Sequence, residues 1–541
     1  MTAPDNPVTE GVTRRERRNR ATPAVDFRRP GRPGPRPRGC HARRLCAAAR
    51  DGRPLALVAC SVPVKLLFVA SEMAPYAKTG GLADVVAGLP PHLARAGHDV
   101  RVVMPLYERV DTSKATFECI IDRLDLVLGE HRYAAKIFRV LADGVQVYFV
   151  HIPELYGRKS LYTRDPDEHR RFIALQFAAM AICQRAGFAP DVVHCHDWQA
   201  ALLPLLLKTV YAKDPVLGGA RSLLTIHNLN YQGSFPVAAG NDTNLAPVSH
   251  LFHQELLKAG RINCLLQGIL YADGVSTVSP TYAQEIQTEA HGAGLDGFLR
   301  ARSSTVVGVL NGVDYGDWSP DRDRHIAASF SPADMSGKAK CKEALLDALG
   351  LPYLPNVPVL GIVSRLVSQK GFDLVGQIMP DLLRRHGFQL VVLGSGEPGL
   401  EQMFAGLQRA FPHQVCFFNG FKNELAHMIE AGADMFVMPS RYEPCGLNQM
   451  YSLRYGTVPI VHRTGGLADT VEPWQARSGR GTGFVFEVHD GAGLRWAVQS
   501  ALAAFRDKTQ WRRLQANGMA KDFSWDTQAK IYELLYQRLC A

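Results

Sequence analysis

The chain has 541 residues, 46% hydrophobic and 21% charged, with a formal net charge of +10. One hydrophobic core rarely sustains that length, so two or more domains are expected, and the composition is that of an ordinary globular protein. The charge does not point to a nucleic-acid partner: residues 1–63 carry 14 Arg, no Lys and 5 acids, which leaves the rest of the chain close to neutral, without a basic stripe.

Residues 1–63 read as a disordered extension. Arg14, Arg15, Arg17 and Arg18 form a basic run, and Pro, Gly and Arg fill every position from Pro30 to Gly39, a composition that cannot bury enough apolar surface to offset its ordering entropy. Competing readings are an Arg-rich transit peptide, a lipoprotein signal around Leu57-Val58-Ala59-Cys60, and a start codon upstream of the true one. Ordered structure is expected from about Val64. The 11 cysteines are scattered without metal-site spacing and read as small apolar residues of a protein in a reducing cytoplasm. No apolar run reaches membrane-spanning length, so no membrane partner is expected.

Short, non-alternating apolar runs then follow in two series. The first is Lys65–Ala70, Val100–Met104, Val145–His151, Asp191–His194, Leu223–Ile226 and Val275–Val278. The second is Val359–Val363, Gln389–Leu393, Val415–Phe418, Met435–Met438 and Pro459–Val461. Runs of this kind imply strands covered on both faces, hence parallel sheets with crossover helices and two doubly wound α/β domains. The division is expected between Asn311 and Pro355, where Asp, Ser, Pro and Gly become frequent. The working boundaries are 64–315 and 316–522. An internal repeat supports two units: Thr79-Gly80-Gly81-Leu82-Ala83-Asp84-Val85-Val86 returns as Thr464-Gly465-Gly466-Leu467-Ala468-Asp469-Thr470-Val471, with seven of eight positions matching. In the first copy Leu82, Val85, Val86, Leu89 and Leu93 share one helical face.

Four blocks carry candidate chemistry. In Lys78-Thr79-Gly80-Gly81 the glycines permit close backbone approach, the helix start offers unpaired N–H groups, and Lys78 adds a charge, which together suit an anion. His194-Cys195-His196-Asp197-Trp198 ends a strand, where ligand crevices of open sheets lie. Zinc is disfavoured there, because adjacent strand residues alternate faces and no second ligand pair is evident. Arg365 and Lys370, in Ser364–Gly371, offer a guanidinium fork and a flexible ammonium to phosphate oxygens. Glu443, in Pro439–Leu447, can accept from sugar hydroxyls or cap the next helix.

These blocks, in this order, resemble the bacterial glycogen synthase and plant starch synthase family of retaining glucosyltransferases. Ser71-Glu72-Met73, Thr225-Ile226-His227-Asn228-Leu229, Tyr231-Gln232-Gly233, Val278-Ser279-Pro280-Thr281-Tyr282 and Leu310-Asn311-Gly312-Val313-Asp314 extend the likeness from about Val64 to Phe523-Ser524-Trp525. The resemblance implies a GT-B fold: two Rossmann-like domains facing each other across a deep cleft, with the last segment, 523–541, returning to the first domain as a helix. It implies ADP-glucose as donor, an α-1,4-glucan as acceptor, and no metal or cofactor. Lys78, Gly81 and Asp84 would meet the donor from the first domain, and Arg365 and Lys370 would neutralise the departing diphosphate. His196, Asn311 and Glu443 would surround the glucose beside Cys445, and Gly465 and Gly466 would offer amides to the phosphates.

The assignment is chemically coherent, since fixed cations and helix N-termini stabilise negative charge where it grows on a leaving diphosphate. Asp165-Pro166-Asp167 and Asp321-Arg322-Asp323 have the form of a metal-binding Asp-x-Asp, but with Arg365 and Lys370 present a metal is unnecessary. The sequence leaves open whether Asp165 or Asp167 assists catalysis. It also leaves ribose recognition open, since Tyr451 stands where many related enzymes carry a second Glu. Two other readings stand beside the synthase: a non-catalytic glucan- or nucleotide-binding protein, and the same fold using UDP-glucose or another acceptor, as a sucrose-forming enzyme does.

Overall fold

The computed structural model describes residues 62–541, so the readings placed on the basic extension fall, but for its last two positions, outside the described residues. Nine strands form the first sheet, in the spatial order Val306–Gly308, Gly274–Thr277, Arg221–Ile226, Val192–His196, Lys65–Val69, Asp99–Pro105, Val145–His151, His131–Ala142 and Glu118–Leu128. Six form the second: Val415–Asn419, Gln389–Gly394, Val359–Val363, Met435–Met438, Val458–His462 and Phe484–Phe486. Every strand expected from the sequence is present, with ends displaced by two residues at most.

The first sheet departs from the all-parallel expectation. Glu118–Leu128 and His131–Ala142 pair antiparallel with each other, and His131–Ala142 pairs antiparallel with Val145–His151. These edge strands keep one face in solvent, as in Glu118–Leu128, where all of the first six residues are exposed or half-buried and burial alternates only from Leu124 onward. A search for continuous apolar runs passes over such strands. The short strands Val306–Gly308 and Phe484–Phe486 escaped for want of length.

In each sheet the first strand in sequence lies in the interior, with its successor on one side and a later strand on the other. Lys65–Val69 sits between Asp99–Pro105 and Val192–His196. Val359–Val363 sits between Gln389–Gly394 and Met435–Met438. Such reversals of strand order open a crevice beyond the carboxyl ends of the strands, because the two loops leave in opposite directions. The four candidate blocks leave these same strand ends.

Helix Gly81–Arg95 grows from the first glycine turn, and its Leu82, Val85, Val86, Leu89 and Leu93 are all buried. The last helix, Trp525–Cys540, lies against it. Trp525, 2% exposed, fills a notch that only glycine leaves open: a Cβ on Gly88 would stand 2.0 Å from its Nε1, and one on Gly312 2.3 Å from its Cδ2. Farther along, Tyr536 hydrogen-bonds His194 Nδ1 at 2.9 Å, fastening the chain end under the strand that carries His196. Of the cysteines, Cys183, Cys195, Cys264, Cys341 and Cys445 are buried as expected, whereas Cys119 and Cys540 are exposed.

Candidate active site

The first-sheet wall is organised by Glu72, just past strand Lys65–Val69. Its carboxylate accepts from Thr79 N (2.5 Å), Thr79 Oγ1 (2.7 Å), Gly80 N (3.3 Å) and Tyr162 OH (2.6 Å). A buried carboxylate thus holds the glycine turn from behind and draws in the loop carrying Tyr162. Lys78 projects from this turn with half its side chain in solvent and pairs with Asp84 Oδ1 at 2.6 Å. Burial holds the Asp84 carboxyl above its ordinary range, against the opposing pull of Lys78.

His196 ends its strand fully buried, with Nδ1 2.9 Å from His227 Nε2 and its own Nε2 without a partner among the described residues. Burial first, then the neighbouring His194 and His227, pushes its pKa well below the usual histidine range, so the ring is neutral. The alternation argument against zinc does not apply to this pair: His194 and His196 are two apart, share a face, and have ring centroids 4.1 Å apart. Both nitrogens of His194 are engaged, by Thr225 Oγ1 at 2.6 Å and by Tyr536. Asp197 then turns the chain out of the sheet at φ 53°, a conformation uncommon for a non-glycine residue. Its carboxylate accepts from His227 N (2.7 Å), and burial pushes its pKa up to about 7.

On the second-sheet wall, Arg365 is exposed and makes no ion pair among the described residues. Lys370 is already paired: its Nζ lies 2.6 Å from Glu443 Oε2, which also accepts from Ser440 Oγ at 3.0 Å. The sequence reading treated these two as separate contributors, but they form one unit. Asn311, 4% exposed, leaves Oδ1 unpartnered among the described residues, and Cys445, beside it, has its thiol pushed up to about 12 by burial.

The two walls meet. A Cβ on Gly81 would lie 3.8 Å from Asn311 Nδ2 and 3.9 Å from Leu447 Cδ1, against the segment that carries Glu443. Ser279 Oγ donates to the Pro444 carbonyl at 2.7 Å, and Asp469 accepts from Thr281 N (2.8 Å) and Oγ1 (2.6 Å). The second glycine turn departs from expectation. Gly465 N–H donates to Glu285 Oε1 at 3.0 Å, and Gly466 N–H donates to the Glu443 carbonyl at 3.0 Å, so neither amide stands open. Both glycines are nonetheless required by close approach, since a Cβ would fall 2.0 Å from the Glu443 carbonyl oxygen or 2.1 Å from that of Cys445.

The two copies of the repeat are therefore built alike, each glycine turn resting on a glutamate carboxylate, Glu72 or Glu285. Sequence reasoning gave neither glutamate a role. The repeat itself held the signal for Asp469, counterpart of Asp84. Tyr451 is buried and stacks on Trp318 with centroids 4.0 Å apart. Asp165 and Asp167 share Arg158, at 2.8 and 2.7 Å, and Asp323 is bonded to His427 and Tyr455. Altogether the two walls carry three cationic side chains, Lys78, Arg365 and Lys370, and two unpartnered buried polar atoms, His196 Nε2 and Asn311 Oδ1, groups suited to an anion joined to a polyhydroxylated group.

Comparison with known proteins agrees. Residues 65–301 match the family described as starch synthase catalytic domain, and residues 354–514 match glycosyl transferases group 1. The chain is 47% identical to a glycogen synthase of Koribacter versatilis over 87% of its length and 98% of that protein. It is 46% identical to one from Anaeromyxobacter sp. (strain Fw109-5), covering 88% and 100%. Among solved structures, the catalytic domain of starch synthase IV from Arabidopsis thaliana, bound to ADP and acarbose, superposes with a TM-score of 0.83 at 34% identity, covering 88% of this chain and 100% of that one. A sucrose-phosphate synthase from Thermosynechococcus elongatus, at 17% identity and TM-score 0.55 over 88% and 99%, shares the fold alone. The chain belongs to the glycogen synthase and starch synthase family, and is a glycosyltransferase of the GT-B fold.

Proposed function

We propose that this enzyme transfers glucose from ADP-glucose to the non-reducing end of an α-1,4-glucan, with retention of configuration and release of ADP, in cytoplasmic glycogen biosynthesis. The observation that supports the reading is that Lys78, Arg365 and the Lys370–Glu443 pair all stand on loops leaving the carboxyl ends of the interior strands at which each sheet reverses its order. The names of the relatives, and the ADP and acarbose of the Arabidopsis structure, supply the nucleotide and the glucan.

In this reading residues 64–315 carry the acceptor side, 316–522 bind the nucleotide sugar, and 523–541 brace the first domain. The bond from glucose C1 to the β-phosphate oxygen breaks and its electron pair leaves with ADP. Arg365 and Lys370 meet the charge growing on that oxygen, and Lys78 meets it from the facing wall. Glu443, released from Lys370 by the phosphate, accepts from glucose hydroxyls, as do His196 Nε2 and Asn311 Oδ1, whose lack of partners costs stability until a hydroxyl arrives. The acceptor hydroxyl attacks C1 from the face the phosphate leaves, and its proton passes to the departing phosphate. No metal takes part in this step. With its amide held by the Glu443 carbonyl, Gly466 shapes the turn, and Gly465 offers its amide to a phosphate that displaces Glu285.

The test is ADP release from ADP-glucose, with and without maltoheptaose, in the presence of a chelator. Glucan-dependent release is expected. Binding of ADP-glucose without turnover would instead favour a non-catalytic binding protein, and a donor panel with chromatography of the products would expose a preference for UDP-glucose or a non-glucan acceptor.

A further inference from the structure

Trp318 is stacked between two rings. Tyr451 lies on one face, and His427 lies 3.7 Å away on the other, tilted by 11°. His427 is fully buried on helix Asn423–Gly432. Its Nδ1 is bonded to Asp323 Oδ2 at 2.8 Å, and that carboxylate also accepts from Tyr455 OH (2.6 Å) and His325 N (2.8 Å). A carboxylate with only acceptor capacity fixes the proton on Nδ1 and leaves the lone pair on Nε2. That Nε2 is buried and has no partner among the described residues.

Two further donor side chains complete the neighbourhood. One ligand-type atom from each of Asp317, His325 and His427 lies within 4.8 Å of the others, and the His325 ring centroid is 4.7 Å from that of His427. The polar contact on the His325 ring is a long one, 3.4 Å from Arg324 Nε to Nε2. Asp317 is exposed and makes no ion pair among the described residues. Around an ion with bonds of about 2.0–2.2 Å, ligand atoms stand roughly 3.4 Å apart, and the free Asp317 side chain can close that difference.

We propose that Asp317, His325 and His427 form a binding site for a divalent transition cation of the zinc class. The site has two imidazoles and one carboxylate, with Asp323 as the outer carboxylate that orients His427, the arrangement by which proteins fix a ligating imidazole. The site joins the segment 314–330 to helix Asn423–Gly432, and so ties the stretch that follows Asn311 to the second sheet. Asp317 helps to hold the Asp84 carboxyl above its ordinary range, so the site borders the wall that carries Lys78.

The full-length enzyme, stripped with chelator and dialysed, would be titrated with Co²⁺ and with Zn²⁺. Expected are visible d–d bands of a nitrogen-ligated cobalt centre, loss of those bands when Zn²⁺ is added, and a thermal midpoint that rises with metal concentration. His325→Ala and Asp317→Asn, which alter half-buried and exposed side chains, should fold and weaken binding by more than the about 10–100-fold that loss of an outer partner costs. Those variants separate this site from any other in the chain. Metal uptake that is absent in the wild type at micromolar concentration, or that is unchanged in both variants, would overturn the proposal.

Discussion

Replacing Lys370 by Met removes a charge while keeping the length of the side chain, and it separates two roles that the structure joins. The Lys370 side chain is 18% exposed and its ammonium sits 2.6 Å from Glu443, whose side chain is 7% exposed. For catalysis, losing one fixed donor to a developing oxyanion costs about 3–4 kcal/mol, or about a 10²–10³-fold fall in kcat. For stability, breaking a buried pair costs about 3–5 kcal/mol, because the remaining charge is left unmatched. Here Ser440 Oγ still serves Glu443 and Lys370 is partly wet, so about 1–3 kcal/mol is expected. The double variant Lys370→Met/Glu443→Gln removes both charges and should regain most of that stability in urea unfolding while remaining as slow as the single variant. Turnover that recovers together with stability, or a single variant within tenfold of wild type, would show that Lys370 serves the fold and not the departing phosphate.

Three other outcomes follow from the geometry. Gly88→Ala drives a methyl into the Trp525 indole and should cost about 1–3 kcal/mol in chemical denaturation, with the terminal helix losing its protection from hydrogen exchange first; an unshifted midpoint would contradict the packing. Asp197 has a folded-state pKa of about 7 against an ordinary 3.8, so the folded chain holds a proton that the unfolded chain has lost between those values, and its contribution falls as pH rises from 4 to 7 and is flat above. Asp197→Asn abolishes that titration, so its stability relative to wild type should improve across that window by at most about 4 kcal/mol; parallel pH profiles would refute the shift. Asp469→Ala cuts both hydrogen bonds to Thr281 and should loosen the seam between the sheets, seen as a larger radius of gyration in X-ray scattering and a raised KM for donor; unchanged scattering with unchanged KM would place the seam elsewhere.

The continuous apolar runs could be read in the sequence because parallel strands are buried on both faces, and burial on both faces writes itself into consecutive residues. The glycine turns were legible for a similar reason: a Cβ on Gly465 or Gly466 meets backbone at about van der Waals overlap, so no other residue fits. The solvent-facing hairpin was not legible, since its apolar residues alternate with charged ones and its pairing is decided by the neighbour Val145–His151. Position along the chain, residue type and helical or strand period thus determined the two-sheet architecture, and motif resemblance singled out Lys78, His196, Arg365, Lys370 and Glu443 as candidates. Partnership was decided only by folding. Lys370 meets Glu443 across 73 residues, Glu285 meets Gly465 across 180, and Tyr536 meets His194 across 342. A side chain's charge and length are local properties, but whether its lone pair or proton is satisfied depends on which distant segment the packed core brings within about 3 Å.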